Sequence, residues 1–164
     1  MRHLTIISIL LLFYNCSIFN KNKTNETLNS KSDIKIVDDI SLIKSTYNRL
    51  SELVSNENIF ILSPEKYLEK IRNEIKDPNF IVEPTPRNTA SAIYLAAKHI
   101  DTLKPDSIIG IYPSDHYIKD TSEFSSCINQ IEKFISNKKE AILRIGIKAT
   151  YASTNYGYIR KDNI

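Results

Sequence analysis

Two stretches decide how this chain is read: Glu83-Pro84-Thr85-Pro86-Arg87-Asn88-Thr89-Ala90 and Pro113-Ser114-Asp115-His116. The first follows Phe80-Ile81-Val82, and the second follows Ser107 to Tyr112. Both runs are short, apolar and rich in β-branched residues, as expected of strands. Each stretch then leads into or towards a helical pattern. In an open α/β sheet, that position at the carboxyl end of a strand is where ligands bind. A third stretch, Asn155-Tyr156-Gly157-Tyr158-Ile159, follows a further apolar run, Ala141 to Ile147.

Working outward, helix and strand patterns alternate from about residue 34. Leu42, Ile43, Tyr47, Leu50 and Leu53 recur at helical spacing and predict a helix over 41–54. Ile59-Phe60-Ile61-Leu62 is a continuous apolar run, the pattern of a strand covered on both faces. Ser63-Pro64-Glu65 opens a helix to about Lys76, with proline in its first turn. The spacing predicts further helices over 89–103, with Ile93, Ala96, Ala97 and Ile100 on one face, and over 121–136, with Phe124, Ile128, Ile131 and Ile135 inward. Strands are expected at 107–112 and 141–147. This order implies an α/β fold, a mostly parallel sheet with helices on both faces. A doubly wound domain begins with a strand and a phosphate-binding turn. Ile34-Lys35-Ile36-Val37 is the candidate remnant, so the sheet is expected to lack its true first strand and its later ones.

The N-terminus reads differently. Arg2 and His3 precede an apolar run from Leu4 to Tyr14, too short to span a bilayer but matching the n- and h-regions of a secretory signal. Cys16 follows, as in a lipoprotein leader, although Tyr14 and Asn15 are bulkier than a lipidation site prefers. A genuine export leader and a spurious start both fit. Residues 20–33, rich in Asn, Lys, Thr and Ser, read as a flexible linker. The expected division is 1–19 signal-like, 20–33 linker and 34–164 the folded, partial domain.

The 164 residues suffice for one domain with a real core. A net charge of +3 is too small to argue for nucleic acid or a membrane surface. Cys16 and Cys127 lie far apart, and Cys127 falls in a helical pattern as a small packed residue. The three glycines, Gly110, Gly146 and Gly157, leave no room for a glycine-rich phosphate loop.

Among candidate site residues, Asp115 can hold Mg²⁺, which takes one or two carboxylates and completes its shell with phosphate oxygens and water. It can equally satisfy a turn. Arg87, Asn88 and Thr89 stand at a helix start, where free N–H groups favour an anion or a nucleobase acceptor. Asn88 and Thr89 are also ordinary capping residues. Arg87 suits a forked phosphate contact. Glu83 ends its strand and faces the same edge. Tyr156 and Gly157 offer an aromatic face and close backbone approach, or simply a turn.

Taken together, IVEPTPRNTASAIYLAA (81–97), IYPSDHYI (111–118) and IGIKATYASTNYGYI (145–159) resemble the bacterial mannose-1-phosphate guanylyltransferases, sugar-nucleotide nucleotidyltransferases whose wording is close to EPxxRNTAPAI, PADH and GIxPTxPETGYGYI. The likeness runs from about residue 41 to the end and implies a chain truncated at both ends. Ser91, Ser114 and Asn155 replace a proline, an alanine and a glycine of that wording. The resemblance implies a partial Rossmann-like nucleotidyltransferase domain making GDP-mannose and pyrophosphate from GTP and mannose 1-phosphate. It implies Mg²⁺ on Asp115, nucleotide contacts at Glu83, Arg87, Asn88 and Thr89, and sugar contacts at Tyr156 and Gly157. No catalytic residue is assigned, because the family's glycine-rich loop has no counterpart here. The family implies the cytoplasm and no nucleic-acid partner; a membrane enters only if the N-terminal run is a signal or lipid anchor. The alternative is an inactive fragment, or an exported or lipid-anchored relic of the fold.

Overall fold

The computed structural model describes residues 6–11, 35–37, 40–85, 88–136, 138, 141–152, 154 and 157–160. Its main sheet has four parallel strands: β1 (Ile6–Leu11), β4 (Ile59–Ser63), β5 (Asn79–Val82) and β6 (Ile108–Pro113). They stand in the order β5-β4-β1-β6. A separate antiparallel pair, β2 (Lys35–Val37) and β3 (Ile40–Ser41), stands apart from it.

Every residue of β4 is buried, which follows from its unbroken apolar run and its place between two neighbours. Its alternation divides the core. Ile59 and Ile61 face one layer, with Ile43, Tyr47, Leu50, Tyr67, Ile71 and Ile75. Phe60 and Leu62 face the other, with Ile81, Ala92, Ala96 and Ile100. Helices α1 (Leu42–Ser51) and α2 (Leu68–Glu74) thus cover one face, and α3 (Thr89–Leu103) covers the other. Helix α4 (Thr121–Ile135) joins the α1 side through Phe124. The α/β class and the helices on both faces are as the sequence implies.

Local chemistry sets the element boundaries. The Ser41 hydroxyl caps α1 by accepting from the Lys44 N–H at 3.2 Å, and donates to the Glu74 carboxylate at the end of α2. Asp120 caps α4, accepting from the Glu123 N–H at 2.8 Å. Asp77 (φ 48°) and Asp106 (φ 64°) make the left-handed turns that return the chain from α2 and α3 to the sheet.

Two expectations need correction. The sheet does not lack its first strand. Ile6–Leu11, within the run read as signal-like, lies at its centre, with Ile9 paired to Phe60 on one side and Ile111 on the other. The remnant expected at Ile34–Val37 contributes Lys35–Val37 to the small antiparallel pair instead. A signal h-region and a central parallel strand share one composition, so pattern alone does not separate them.

The strand expected at 141–147 is absent: these residues carry no ladder, and Ile142 and Ile147 are 90% and 84% exposed. Arg144 and Gly146 interrupt the apolar run, and a strand also needs a neighbour to pair with, which the run itself does not supply.

Candidate functional site at the carboxyl edge of the sheet

Strand order reverses about β1: the chain builds outward to β4 and β5, then returns over α3 to place β6 on the opposite side. A crevice opens at such a switch point, between the carboxyl ends of β1 and β6. Pro113, the last residue of β6, pairs with Leu11 there, and Ser114-Asp115 follow. Ser114 is buried at 1% exposure, while Asp115 is half-buried and His116 exposed.

Along the same edge, Ser63 ends β4 and Glu83 follows β5, both buried, and the Glu83 N–H donates to the Ser63 carbonyl at 3.0 Å. β5 and β6 are separated by β4 and β1, so Glu83 and Asp115 stand about 14 Å apart at ordinary strand spacing. They share an edge without forming a paired-carboxylate centre. Among the described residues, no group of three or more His, Cys, Asp or Glu side chains is placed to hold a metal ion. A lone carboxylate such as that of Asp115 can hold only an ion that takes the rest of its shell from other donors.

At the start of α3, Asn88 adopts φ 74° and ψ 171°, a region occupied almost only by glycine. Its side chain makes no capping bond. Its carbonyl accepts from the Ser91 hydroxyl at 3.0 Å and the Ala92 N–H at 3.3 Å. The ordinary capping role open to Asn88 in the sequence is thus not the one it takes. Thr89 is exposed beside it. Arg87 and Tyr156 lie outside the described residues. Gly157 is exposed, and a Cβ there would meet nothing within 4 Å, so no close approach requires a glycine. Nearby, Tyr151 and Tyr158 help line an open hollow of about 510 Å³.

Where α4 meets α1 lies a group that the sequence did not mark out. Arg49 of α1 is only 4% exposed. Its guanidinium lies 5.2 Å from the centroid of the Phe124 ring and donates to the Thr46 hydroxyl at 3.0 Å; its Nε has no hydrogen-bond partner. Burial lowers its pKa, and Glu52 opposes that shift. Phe124 meets Tyr112 edge-on at 5.9 Å and 68°. The Tyr112 ring lies over Gly110, where a Cβ would come within 2.6 Å of the Tyr112 hydroxyl. The available signal was the placement of Arg49 between Thr46 and Leu50 on the buried side of α1.

The family model for the nucleotidyl transferases matches residues 27–164. The chain belongs to that family. Among the curated nucleotidyl transferases it resembles, a mannose-1-phosphate guanylyltransferase of Escherichia coli is 32% identical over 140 residues, which are 82% of this chain and 30% of the relative. The mannose-1-phosphate guanylyltransferase RfbM of Salmonella typhimurium is 29% identical over 82% of this chain and 29% of its own length. The xanthan biosynthesis protein XanB of Xanthomonas campestris is 28% identical over 79% and 28%. The chain thus spans less than a third of these relatives. A Thermus thermophilus structure described as a mannose-1-phosphate geranyltransferase superposes with a TM-score of 0.63 over 80% of this chain and 38% of that one. At 17% identity it supports the shared fold.

Proposed function

We propose that this chain carries the nucleotide- and metal-binding part of a mannose-1-phosphate guanylyltransferase. The reaction would join GTP and mannose 1-phosphate into GDP-mannose, with release of pyrophosphate. The observation that carries this reading is Asp115 at the switch point of the sheet, in a chain whose curated relatives bear that enzyme's name.

An oxygen of the sugar phosphate attacks the α-phosphorus of GTP, and the bond from that phosphorus to the pyrophosphate oxygen breaks. Catalysis of this kind is mostly positioning and charge stabilisation. Bound Mg²⁺ would neutralise charge on the phosphate oxygens, and Asp115 would hold it. Asn88 and Thr89 would present the N–H groups at the start of α3 to the base or phosphate. Glu83, buried at the same edge, would accept from a nucleobase or ribose donor. Tyr156 and Gly157 would lie beside the sugar. GTP and sugar phosphates are cytoplasmic, so the working site belongs in that compartment.

The test is pyrophosphate release and GDP-mannose formation by residues 1–164, given GTP, mannose 1-phosphate and Mg²⁺. Mg²⁺-dependent turnover that falls about 10²–10³-fold in folded Asp115→Ala is expected, in line with loss of one charge-stabilising group. Folded protein that neither turns over nor binds Mg²⁺–GTP overturns the reading.

A further inference from the structure

We propose that Arg49 is a positioning residue for the Asp115 turn, acting through Phe124 and Tyr112. Three elements meet at this stack. The guanidinium comes from α1, the first ring from the opening turn of α4, and the second from the penultimate position of β6. The contacts run in series, with Arg49 5.2 Å from the Phe124 centroid and Phe124 5.9 Å from Tyr112. The segment between the two aromatics, residues 113–123, contains Asp115 and is held at both ends by the same stack. Tyr112 cannot sink further towards the sheet, because its ring already rests on Gly110.

A buried guanidinium needs compensation for its lost hydration. Here a ring face and one hydroxyl supply part of it, Nε having no hydrogen-bond partner: the Thr46 oxygen accepts one N–H, and the Phe124 face attracts the cation. Arg49 therefore has a geometric requirement that an aliphatic residue lacks. The ring contact that meets part of it lasts only while Phe124 stays in place, and Phe124 in turn orients the start of α4 and the turn before it. Asp120, which caps α4, fixes the other end of that turn to the helix. The consequence is a rigid Ser114–Tyr117 segment set by a charge on a different element.

The experiment compares wild-type 1–164 with Arg49→Met, Arg49→Lys and Phe124→Leu by backbone ¹⁵N relaxation. Methionine keeps the packed stem and removes the cation. In Arg49→Met and Phe124→Leu, order parameters of Ser114–Tyr117 should fall from about 0.85 to below about 0.6. Amides of α3, on the opposite face, should stay unchanged. Arg49→Lys should restore rigidity, and the double variant Arg49→Met/Phe124→Leu should be no looser than either single one. Unchanged order parameters at 114–117, or equal loosening of α3, overturn the proposal. A second readout rests on the Asp115 assignment above. The Mg²⁺ concentration needed for half-maximal GTP binding should rise roughly tenfold in Arg49→Met, as for loss of a group supporting a metal ligand. Wild-type protein that binds no Mg²⁺–GTP would refute the functional reading, while the relaxation data would still decide the role of Arg49.

Discussion

Removing residues 1–20 deletes β1, the strand flanked by β4 and β6. Each interior residue of a doubly flanked strand uses both its N–H and its C=O. Six residues therefore make on the order of ten ladder hydrogen bonds. At about 1 kcal/mol net per bond, that is on the order of 10 kcal/mol. Half of it would match the lower end of a typical domain's whole stability, about 5 kcal/mol. The deletion also leaves β6 with no strand partner among the described residues. Residues 21–164 should show no cooperative urea or thermal transition by circular dichroism, whereas 1–164 should. Ile9→Pro is the milder perturbation, since Ile9 pairs with both Phe60 and Ile111. It should cost on the order of 3 kcal/mol through a lost bond and the ring's clash. A 21–164 protein with the same transition midpoint and denaturant slope as 1–164 would refute the central place given to β1, and would favour the leader reading of that run.

Gly110→Ala should destabilise the protein by about 1–3 kcal/mol, because the new methyl group would displace the Tyr112 ring. Tyr112→Leu in the same background should recover part of the loss in urea titrations. Asn88→Gly should raise stability by about 1 kcal/mol, by releasing the strain at φ 74° against glycine's own entropic cost. It should also weaken GTP binding if the asparagine contacts nucleotide, and calorimetry measures both. The Asp120 carboxyl is held below its ordinary pKa by the Glu123 N–H and then by the Ser122 hydroxyl. Its contribution is present above the ordinary carboxylate pKa and is lost as pH falls through the depressed one. Asp120→Asn keeps an acceptor without the charge, so its melting midpoint should fall less steeply as pH drops through the carboxylate range; parallel curves would reject the linkage.

Much of the architecture was legible in the chain. The runs at 59–62, 80–82 and 107–112 and the four helical patterns all correspond to observed elements, because burial imposes its period on the sequence. Two runs were misread for want of non-local information. Ile6–Leu11 is apolar apart from Ser8, as a leader is and as a strand covered on both faces is. Whether 141–147 joins a sheet depends on a neighbour to pair with, which local pattern does not encode. For the site, the ends of β5 and β6 marked Glu83 and Asp115 correctly as edge residues. Their separation became visible only with the strand order. Asn88 looked like a cap, and only its backbone angles, φ 74° and ψ 171°, show that its side chain does not take that role. Arg49 was passed over because a charge in a helix is usually solvated, and only the approach of α4 reveals otherwise.

The placement of β1 also sets a timetable for synthesis. This strand leaves the ribosome before the other three and pairs with the last of them: Ile6 meets Ile108 across roughly a hundred residues. The β4–β5 unit closes over a far shorter loop and can form while the rest is still being made. Until β6 emerges, one edge of a largely apolar strand stays unpaired. During that interval the nascent chain exposes the feature that targeting factors and chaperones bind. Slowing translation between α3 and β6 should therefore lengthen the period in which capture at the N-terminus competes with completion of the sheet.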